Sequence, residues 1–374
     1  MMTSPFKRKN VNTEQAATPT IIAPAPQAPD STSRAPAFDI RAELPDLLRL
    51  TNPDSTPNIN ALTELLRDFQ AMKFNLKFFG YELARTLAKE LPPVPSGGPF
   101  EIDLESKPST QADLEADWTR HWSAELKIPH VFHRKIWELA YVLQVIWQSG
   151  NIGAGKRGLG FGCGEEPLPS YLASKGCNIT VTDLEPNDRR ATGWAQTNEL
   201  ANLERAYKSE LIGKEEFDRL VDFRHVDMTA IPNDLRDYDF CWSICAFEHL
   251  GSIEKGIQFI ENAVDVLRPG GFSIHTTEFN FLSDGETLDN WSTVLFQKHH
   301  FEEMERRLAA KGCRVAPLNF DIGSKPLDRF NDIAPYAHDW KFDQAAQWRE
   351  GANHIKLTAD GIPVTCFGIA AYKG

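Results

Sequence analysis

The fold of this 374-residue chain is decided by the stretch Gly158-Leu159-Gly160-Phe161-Gly162-Cys163-Gly164. Its start is apolar, like a buried strand, and its alternating glycines let the backbone approach a ligand where any Cβ would clash. Glu165-Glu166 follow, and Pro167 then suits the first turn of a helix. A strand, a glycine turn and a helix in this order indicate the cofactor-binding turn of a Rossmann-like fold.

An acidic residue ends the next predicted strand, Asn178–Asp183. Asp183 stands 19 residues after Gly164. At that spacing its carboxylate is placed to accept hydrogen bonds from ribose hydroxyls. The turn and this acid together favour a nucleotide cofactor over a bare structural turn in which Asp183 only caps a helix.

Two classes of cofactor compete for this turn. A dinucleotide turn carries a third glycine where this chain has Glu165. Glu165 and Glu166 would also repel a pyrophosphate at the helix N-terminus. They would not oppose a sulfonium cation, so S-adenosylmethionine (SAM) is favoured over a nicotinamide dinucleotide.

Short apolar runs alternate with helical patterns from residue 150 onward, which predicts a parallel sheet covered on both faces. The chain then ends in a predicted hairpin at His354–Ala359 and Thr365–Tyr372, joined through Asp360-Gly361. The other predicted strands are Arg157–Phe161, Asn178–Asp183, Val221–Val226, Tyr238–Ile244 and Phe272–Thr277, and the predicted helices are Pro167–Lys175, Asp188–Arg219, Ile253–Leu267 and Phe296–Lys311.

Residues 130–374 resemble the class I SAM-dependent methyltransferase family. The resemblance rests on the glycine turn, on Asp183, on Asp227-Met228 after the third strand, on Phe247-Glu248-His249-Leu250 after the fourth, and on Leu267-Arg268-Pro269-Gly270-Gly271 before the fifth. It implies a Rossmann-like, seven-stranded, mostly parallel sheet with an antiparallel last strand, preceded by an N-terminal helical region.

The resemblance also implies a set of cofactor-binding residues. Gly160, Phe161, Gly162 and Gly164 would line the methionine part, Asp183 with Leu184 the ribose, and Asp227 with Met228 the adenine; Ser243 and Cys245, around the end of the fourth strand, complete the predicted set. Many members carry Asp or Glu where this chain has Gly160, so Glu165 is a candidate for the cofactor's amino group.

The predicted catalytic residues are Glu248 and His249, which follow the fourth strand at the edge of the sheet where ligands bind. A histidine has a pKa suited to accepting a proton from an acceptor hydroxyl. The alternative is that both residues cap the next helix or contact the cofactor. The charged segment His133–Glu138 could also reach the cofactor or an acidic acceptor.

The acceptor is less well defined by the sequence. Gly160–Pro169 and the terminal hairpin loosely resemble methyltransferases of cell-surface glycan biosynthesis, which favours a hydroxyl of a small molecule or saccharide. The alternative is a SAM-binding regulatory or scaffold protein without catalysis. His299 and His300 are adjacent and cannot share a helix face, so no metal site is predicted.

The N-terminal part divides into a disordered, Pro/Ala-rich tail at 1–37 and a helical region at 38–128, before the methyltransferase domain at 129–374. A helix is predicted at Asn58–Leu91, and a second helical region at Gln111–Gln148 is broken near Pro129. The first helix carries apolar residues at seven-residue spacing, which indicates either docking on its own domain or a homodimer. The positions are Leu62, Phe69, Leu76 and Leu83, with Leu65, Met72 and Phe79 between them.

Bulk properties exclude some classes of protein. A formal net charge of -12 argues against a nucleic-acid binder. No apolar run reaches about 18 residues, so no membrane span is predicted. The 6 cysteines form no CxxC pair and are expected to be buried thiols, which favours a cytoplasmic location.

Overall fold

The computed structural model describes residues 50–94, 96–185, 203–282, 285–334, 336 and 353–374. The tail predicted at 1–37 lies outside these residues. The chain divides between Leu76 and Lys77 into a unit spanning Arg8–Leu76 and a larger unit that contains Lys77–Gly374. No described helix is long and apolar enough to cross a lipid bilayer.

The helices and strands alternate as the sequence predicts. The helices are α1 (Ile59–Glu90), α2 (Gln111–Glu115), α3 (Asp117–Glu125), α4 (Arg134–Gln148), α5 (Leu168–Ser174), α6 (Leu203–Ala206), α7 (Lys214–Leu220), α8 (Ile253–Ala263) and α9 (Lys298–Ala310). The strands are β1 (Lys107–Pro108), β2 (Arg157–Phe161), β3 (Asn178–Asp183), β4 (Val221–His225), β5 (Tyr238–Ile244), β6 (Leu267–Asn280), β7 (Cys313–Val315), β8 (Asn331–Asp332), β9 (Lys356–Ala359) and β10 (Ile362–Lys373).

The sheet confirms the predicted fold class. Its strands follow the order β4-β3-β2-β5-β6-β10, parallel as far as β6 and antiparallel between β6 and β10. β7 pairs antiparallel with β10 and so completes the seven strands expected. The short strands β1, β8 and β9 extend the sheet.

Strand β10 holds the last part of the sheet together. One edge pairs with β6 along Val364–Tyr372, and the other edge pairs in succession with β9, β1 and β7. Most of its side chains are buried. β10 therefore connects β1, which precedes the first long strand in the chain, to the main body of the sheet.

Helix α4 packs across the sheet and brings charged residues towards the carboxyl ends of the strands. Tyr141 lies against Gly368 of β10, where a Cβ would overlap the tyrosine ring. Trp137 stacks on Tyr141 with ring centroids 4.9 Å apart, and Trp137 and Trp122 are almost completely buried. These tryptophans are therefore core residues.

Two predicted elements differ from the structure. The single helix predicted at Asp188–Arg219 is wrong in its described part, because α6 and α7 are separate and Gly213 caps α7. Residues 188–202 of that prediction lie outside the described residues. The fifth long strand is longer than predicted, running from Leu267 to Asn280, because β10 pairs along much of its length.

Candidate active site

A cavity of about 440 Å³ opens at the carboxyl ends of β2, β3 and β5. This volume is in the range of small-molecule and cofactor sites, and the position is where ligands bind in open α/β sheets. Its lining residues are Lys135, Leu139, Gly162, Cys163, Gly164, Glu165, Glu166, Pro167, Asp183, Leu184, Val226, Asp227, Met228, Thr229, Ile244, Cys245, Ala246, His249 and Leu250.

The glycine turn has the backbone shape that its sequence predicts. Gly162 and Gly164 have φ of 58° and 53°, in the left-handed region that favours glycine. A Cβ on Gly162 would lie 2.9 Å from the Cβ of Ala246. The turn is closed by a hydrogen bond of 3.2 Å from the Cys163 amide to the Thr182 carbonyl. Glycine is therefore required at Gly162 both by conformation and by the close approach of the neighbouring loop.

Asp183 lies at the cavity beside this turn. Its Oδ1 accepts a hydrogen bond of 2.7 Å from the Leu184 amide, and its Oδ2 accepts one of 3.4 Å from the Gly164 amide. The carboxylate is half-buried. These bonds orient its oxygens at the cavity edge, consistent with a ribose-binding role.

The two adjacent glutamates have different environments. Glu165 pairs with Arg205 at 2.9 Å and is exposed. Glu166 accepts a hydrogen bond of 2.8 Å from Nε1 of Trp242, and burial raises its pKa to about 8. Glu166 is therefore mainly protonated at neutral pH, and Glu165 carries most of the negative charge that the sequence assigned to the pair.

The loop after β4 contributes Asp227 and Met228 to the opposite side of the cavity. Oδ1 of Asp227 accepts hydrogen bonds from the Thr229 amide at 2.8 Å and from its hydroxyl at 2.7 Å. These bonds shape the loop as a tight turn. Asp227 and Met228 both line the cavity, and their assignment to the adenine stays a prediction.

Cys245 follows β5 and has a positive φ of 45°, which is uncommon for a residue with a side chain. Its amide donates to the Thr276 carbonyl at 3.0 Å, and its thiol donates to Oε2 of Glu138 at 2.9 Å. Burial raises the pKa of this thiol well above its usual value. The strained backbone therefore presents a neutral thiol at the cavity wall.

His249 lies at the cavity on a short 3-10 turn, Phe247–His249. Its Nδ1 lies 2.9 Å from the carbonyl oxygen of Ser292. Because a carbonyl oxygen can only accept a hydrogen bond, the ring proton is on Nδ1. Burial lowers its pKa, so the ring is neutral at neutral pH. Nε2, the unprotonated nitrogen, is the atom that could accept a proton.

Glu248 is completely buried and is not among the cavity-lining residues. Its Oε2 accepts a hydrogen bond of 3.0 Å from the Thr277 hydroxyl. Burial, followed by the charge of Glu278, raises its pKa to about 8. Its Oε1 lies 3.9 Å from Nε2 of His249, so the two predicted catalytic residues are neighbours.

Three other predicted cofactor residues lie behind the cavity lining. Gly160 packs under Cys163 and Trp242, where a side chain would overlap them, which explains why this chain has no acidic residue there. The ring of Phe161 packs edge-on against Phe259. Ser243 is buried and bonded to Nδ1 of His275 at 2.7 Å.

The described lining also includes residues that sequence reasoning did not assign to the cofactor. Leu139 comes from α4, and Thr229 and Ala246 come from loops beside predicted site residues. Leu139 lies about 20 residues before the glycine turn and belongs to an ordinary apolar helix pattern. Only the packing of α4 over the sheet brings it to the cavity.

Residues 159–275 match the family model described as a methyltransferase domain. The match begins in β2 and ends in β6, so it includes the glycine turn, Asp183, Asp227 and His249. This part of the chain is similar to a methyltransferase domain. Its cofactor is S-adenosylmethionine.

Solved structures of methyltransferases are similar to part of this chain. A SAM-dependent methyltransferase from Mesorhizobium loti matches with 14% identity, covering 60% of this chain and 93% of its own, at a TM-score of 0.34. Phosphoethanolamine N-methyltransferase 2 from Haemonchus contortus, solved with SAM, matches with 17% identity, covering 62% of this chain and 51% of its own, at a TM-score of 0.35. No curated protein sequence matches significantly. Similarities this low carry no argument about the acceptor.

Proposed function

We propose that the protein transfers a methyl group from SAM to a hydroxyl of a small molecule or saccharide, with His249 as general base. The observation that carries this proposal is the neutral imidazole at the cavity wall, held through Nδ1 by the Ser292 carbonyl. A neutral ring with Nε2 as its basic atom suits the removal of a hydroxyl proton.

The residues at the cavity fit the cofactor. The two glycines with positive φ leave the turn without side chains, as a closely approaching ligand requires. Asp183 would hold the ribose, Asp227 and Met228 the adenine, and Gly162 and Gly164 the methionine part. The exposed carboxylate of Glu165 is a candidate partner for the cofactor's amino group.

When bound, SAM supplies a methyl group activated by a positively charged sulfur. The protein then has to align the acceptor oxygen with that methyl carbon. His249 takes the hydroxyl proton on Nε2 as the new oxygen–carbon bond forms. The carboxyl group of Glu248, 3.9 Å from Nε2, would lie next to the resulting imidazolium.

A saccharide is the preferred acceptor within this proposal. The support is the loose sequence resemblance of Gly160–Pro169 and the terminal hairpin to glycan-modifying methyltransferases. The hairpin forms in the structure as β9 and β10, and β10 lies inside the sheet.

The test is methyl transfer from labelled SAM to a panel of saccharides, small alcohols and amines. We expect a hydroxyl acceptor to be methylated and His249→Ala to reduce kcat by about 10²- to 10⁴-fold, the usual contribution of a general base. The affinity of His249→Ala for SAM should stay within a factor of about two of that of the unmodified protein. The reason is that His249 is proposed to contact the acceptor and not to hold the cofactor. His299→Ala, an exposed histidine on α9, is the matched control.

Methylation of amines alone, or full turnover in His249→Ala, would contradict the proposal. SAM binding without transfer to any acceptor would instead favour the regulatory or scaffold alternative. A specific observation keeps that alternative open. Helix α1 exposes a row of large apolar side chains, and such surfaces commonly bind another protein; they include Phe69, Met72, Leu76, Phe79 and Leu83.

We further propose that a second copy of the chain covers this apolar row, forming a homodimer. The seven-residue spacing is what a helix needs to pack against a copy of itself. Phe69 and Phe79 are 52% and 68% exposed, which makes them the natural contact residues. The cytoplasmic location predicted from the cysteines stays a prediction, supported by six buried free thiols.

A further inference from the structure

Behind the wall of the cavity lies a cluster of three buried side chains, which we name the carboxylate–thiol cluster: Cys245, Glu248 and Glu278. One ligand-type atom from each lies within 4.8 Å of the other two. Cys245 and Glu248 are close in the chain, but Glu278 is too distant for sequence spacing to bring it to them. β5 and β6 do so, because these strands are neighbours and end at the same edge of the sheet.

Two carboxylate oxygens in this cluster stand out. Oε1 of Glu248 and Oε2 of Glu278 are buried, and neither has a hydrogen-bond partner among the described residues. Glu248 is 0% exposed and Glu278 is 6% exposed. A buried polar atom without a partner carries a free-energy cost of about 1–3 kcal/mol, so each such atom calls for an explanation.

The remaining oxygens of both carboxylates are firmly held. Oε2 of Glu248 accepts from the Thr277 hydroxyl at 3.0 Å, and Oε1 of Glu278 pairs with Arg134. These bonds fix the two carboxyl groups so that their unpartnered oxygens face the cluster. Outer partners that orient one atom of a ligand while leaving the other available are typical of metal sites.

The neighbouring histidine fits the same pattern. Nδ1 of His249 bonds to the Ser292 carbonyl, and Nε2 lies 3.9 Å from Oε1 of Glu248. A ring nitrogen oriented through a backbone carbonyl is how metal-binding histidines are commonly held. His249 is therefore placed to contact a molecule bound beside the cluster.

We propose that the carboxylate–thiol cluster binds one divalent transition-metal ion, with Zn²⁺ as the preferred ion, through Cys245, Glu248 and Glu278. This donor set of two carboxylate oxygens and a thiolate, with imidazole nearby, is one that Zn²⁺ accepts. Ligand atoms around a tetrahedral zinc lie roughly 3.3–3.8 Å apart, so side-chain shifts of about an ångström would close the site.

The local charges balance with such an ion. With the ion bound, Glu138, Glu248, Glu278 and a Cys245 thiolate would carry four negative charges, and Arg134 and Lys135 two positive ones. A divalent ion makes the sum zero. Binding would displace two protons and release them to solvent: the thiol proton of Cys245, which now points to Glu138, and the carboxyl proton of Glu248, whose pKa is raised to about 8.

A second group of possible ligands, Glu138 with Cys245 and Cys366, is a weaker candidate. Both oxygens of Glu138 already accept hydrogen bonds, from the Cys366 thiol at 2.8 Å, the Cys245 thiol at 2.9 Å and the Thr276 hydroxyl at 2.6 Å. Lys135 also lies 3.4 Å from Oε1. No atom of Glu138 therefore lacks a partner that a metal ion would replace.

The position of the cluster gives the ion a function. Cys245 belongs both to the cluster and to the cavity lining, so an ion held there lies against the cavity wall. A metal ion in that position would bind an acceptor hydroxyl and lower its pKa. This site goes beyond the proposed methyl transfer, and its binding test uses neither acceptor nor turnover.

The test is a calorimetric titration of the tag-free, EDTA-treated protein with Zn²⁺. We expect one saturable equivalent, and at least tenfold weaker binding in Glu278→Gln and Glu248→Gln, which keep the side-chain shape. Glu286→Gln, an exposed glutamate in the following loop, is the matched control and should bind like the unmodified protein. The proposal would be overturned if the unmodified protein bound no saturable equivalent of Zn²⁺. It would also be overturned if both Gln variants bound Zn²⁺ as tightly as the unmodified protein.

Cobalt gives an independent signature that does not require the glutamate variants to fold. Co²⁺ bound through Cys245 should show thiolate-to-metal charge-transfer absorption, lost in Cys245→Ser and kept in Cys241→Ser. Cys241 is also buried but lies outside the cluster. If the unmodified protein lacks this absorption, or if Cys245→Ser retains it, the cysteine is not a ligand and the site as proposed is wrong.

Discussion

Nε1 of Trp242 donates a hydrogen bond of 2.8 Å to Oε1 of Glu166, which joins the middle of the sheet to the loop that follows the glycine turn. Trp242 is fully buried, and the pKa of Glu166 is raised to about 8, chiefly by burial. The folded protein therefore keeps a proton on Glu166 over a pH range in which the unfolded chain has lost it.

This proton predicts a pH dependence of stability. Between the unfolded pKa of 4.5 and the folded pKa of about 8, the folded state binds more protons, so the free energy of unfolding falls as pH rises. One such group contributes a slope of at most about 1.4 kcal/mol per pH unit. Glu166→Gln should flatten this dependence in urea unfolding between pH 5 and 8, a range that lies between the two pKa values. Parallel curves for the two proteins would show that Glu166 titrates normally.

The cofactor affinity should depend on Asp183. Removing a carboxylate that binds ribose hydroxyls costs about 1.5–3 kcal/mol, or roughly 10- to 100-fold in Kd for SAM. Calorimetry of Asp183→Ala with SAM measures this loss. Asp222→Ala, an exposed residue of β4, is the control and should bind normally. Unchanged affinity in Asp183→Ala would remove Asp183 from the site.

A methyl group at Gly162 should damage both folding and binding. The backbone there has φ of 58°, and the new Cβ would lie 2.9 Å from the Cβ of Ala246. We expect Gly162→Ala to lower the free energy of unfolding by about 1–3 kcal/mol and to weaken SAM binding. Gly213→Ala is the control, since a Cβ there meets no atom within 4 Å. Equal stability of the two variants would contradict the assigned turn geometry.

A buried ion pair fixes the second half of helix α1. Nζ of Lys77 lies 2.8 Å from Oδ1 of Asp332, whose Oδ2 bonds to the Tyr81 hydroxyl at 2.7 Å and to Nδ1 of His354 at 2.8 Å. Removing one partner of a buried pair costs about 3–5 kcal/mol. Chemical unfolding of Lys77→Met should show a loss of that order, whereas Lys89→Met, exposed at the helix end, should show almost none.

The exposed face of α1 predicts the oligomeric state. If a second copy covers it, light scattering should report a dimer, and Phe69→Glu with Phe79→Glu should give a monomer with unchanged SAM affinity. Phe69 and Phe79 are both more than half exposed, so the change should not disturb the core. A monomeric unmodified protein would contradict the homodimer.

The sequence was informative wherever a local pattern determines the structure. β2, β3 and β5 begin and end at the predicted residues, because each is an apolar run between turn-forming residues. The glycine turn, Asp183, Asp227 and His249 also meet at one cavity as predicted. Residues at the carboxyl ends of parallel strands share one edge of a sheet, so their order along the chain is enough to bring them together.

Other features depend on packing that no local pattern contains. Phe161 is predicted to line the methionine part of the cofactor, yet its ring packs against Phe259 behind the cavity lining. The carboxylate–thiol cluster was not predicted, because Glu278 comes just after the predicted strand Phe272–Thr277 and Cys245 resembles an ordinary buried thiol. The approach of β6 to the loop after β5 is what makes these residues neighbours.

Strand β10 is the last strand of the sheet along the chain, yet it lies between β6 on one side and β9, β1 and β7 on the other. A ribosome therefore releases β1, β6 and β7 long before β10 itself. Until then β6, whose side chains are mostly buried in the folded protein, has an unpaired edge of the kind that promotes aggregation. The sheet should close only after the final strand is synthesised, so nascent chains that stall before Ile362 should depend on chaperones.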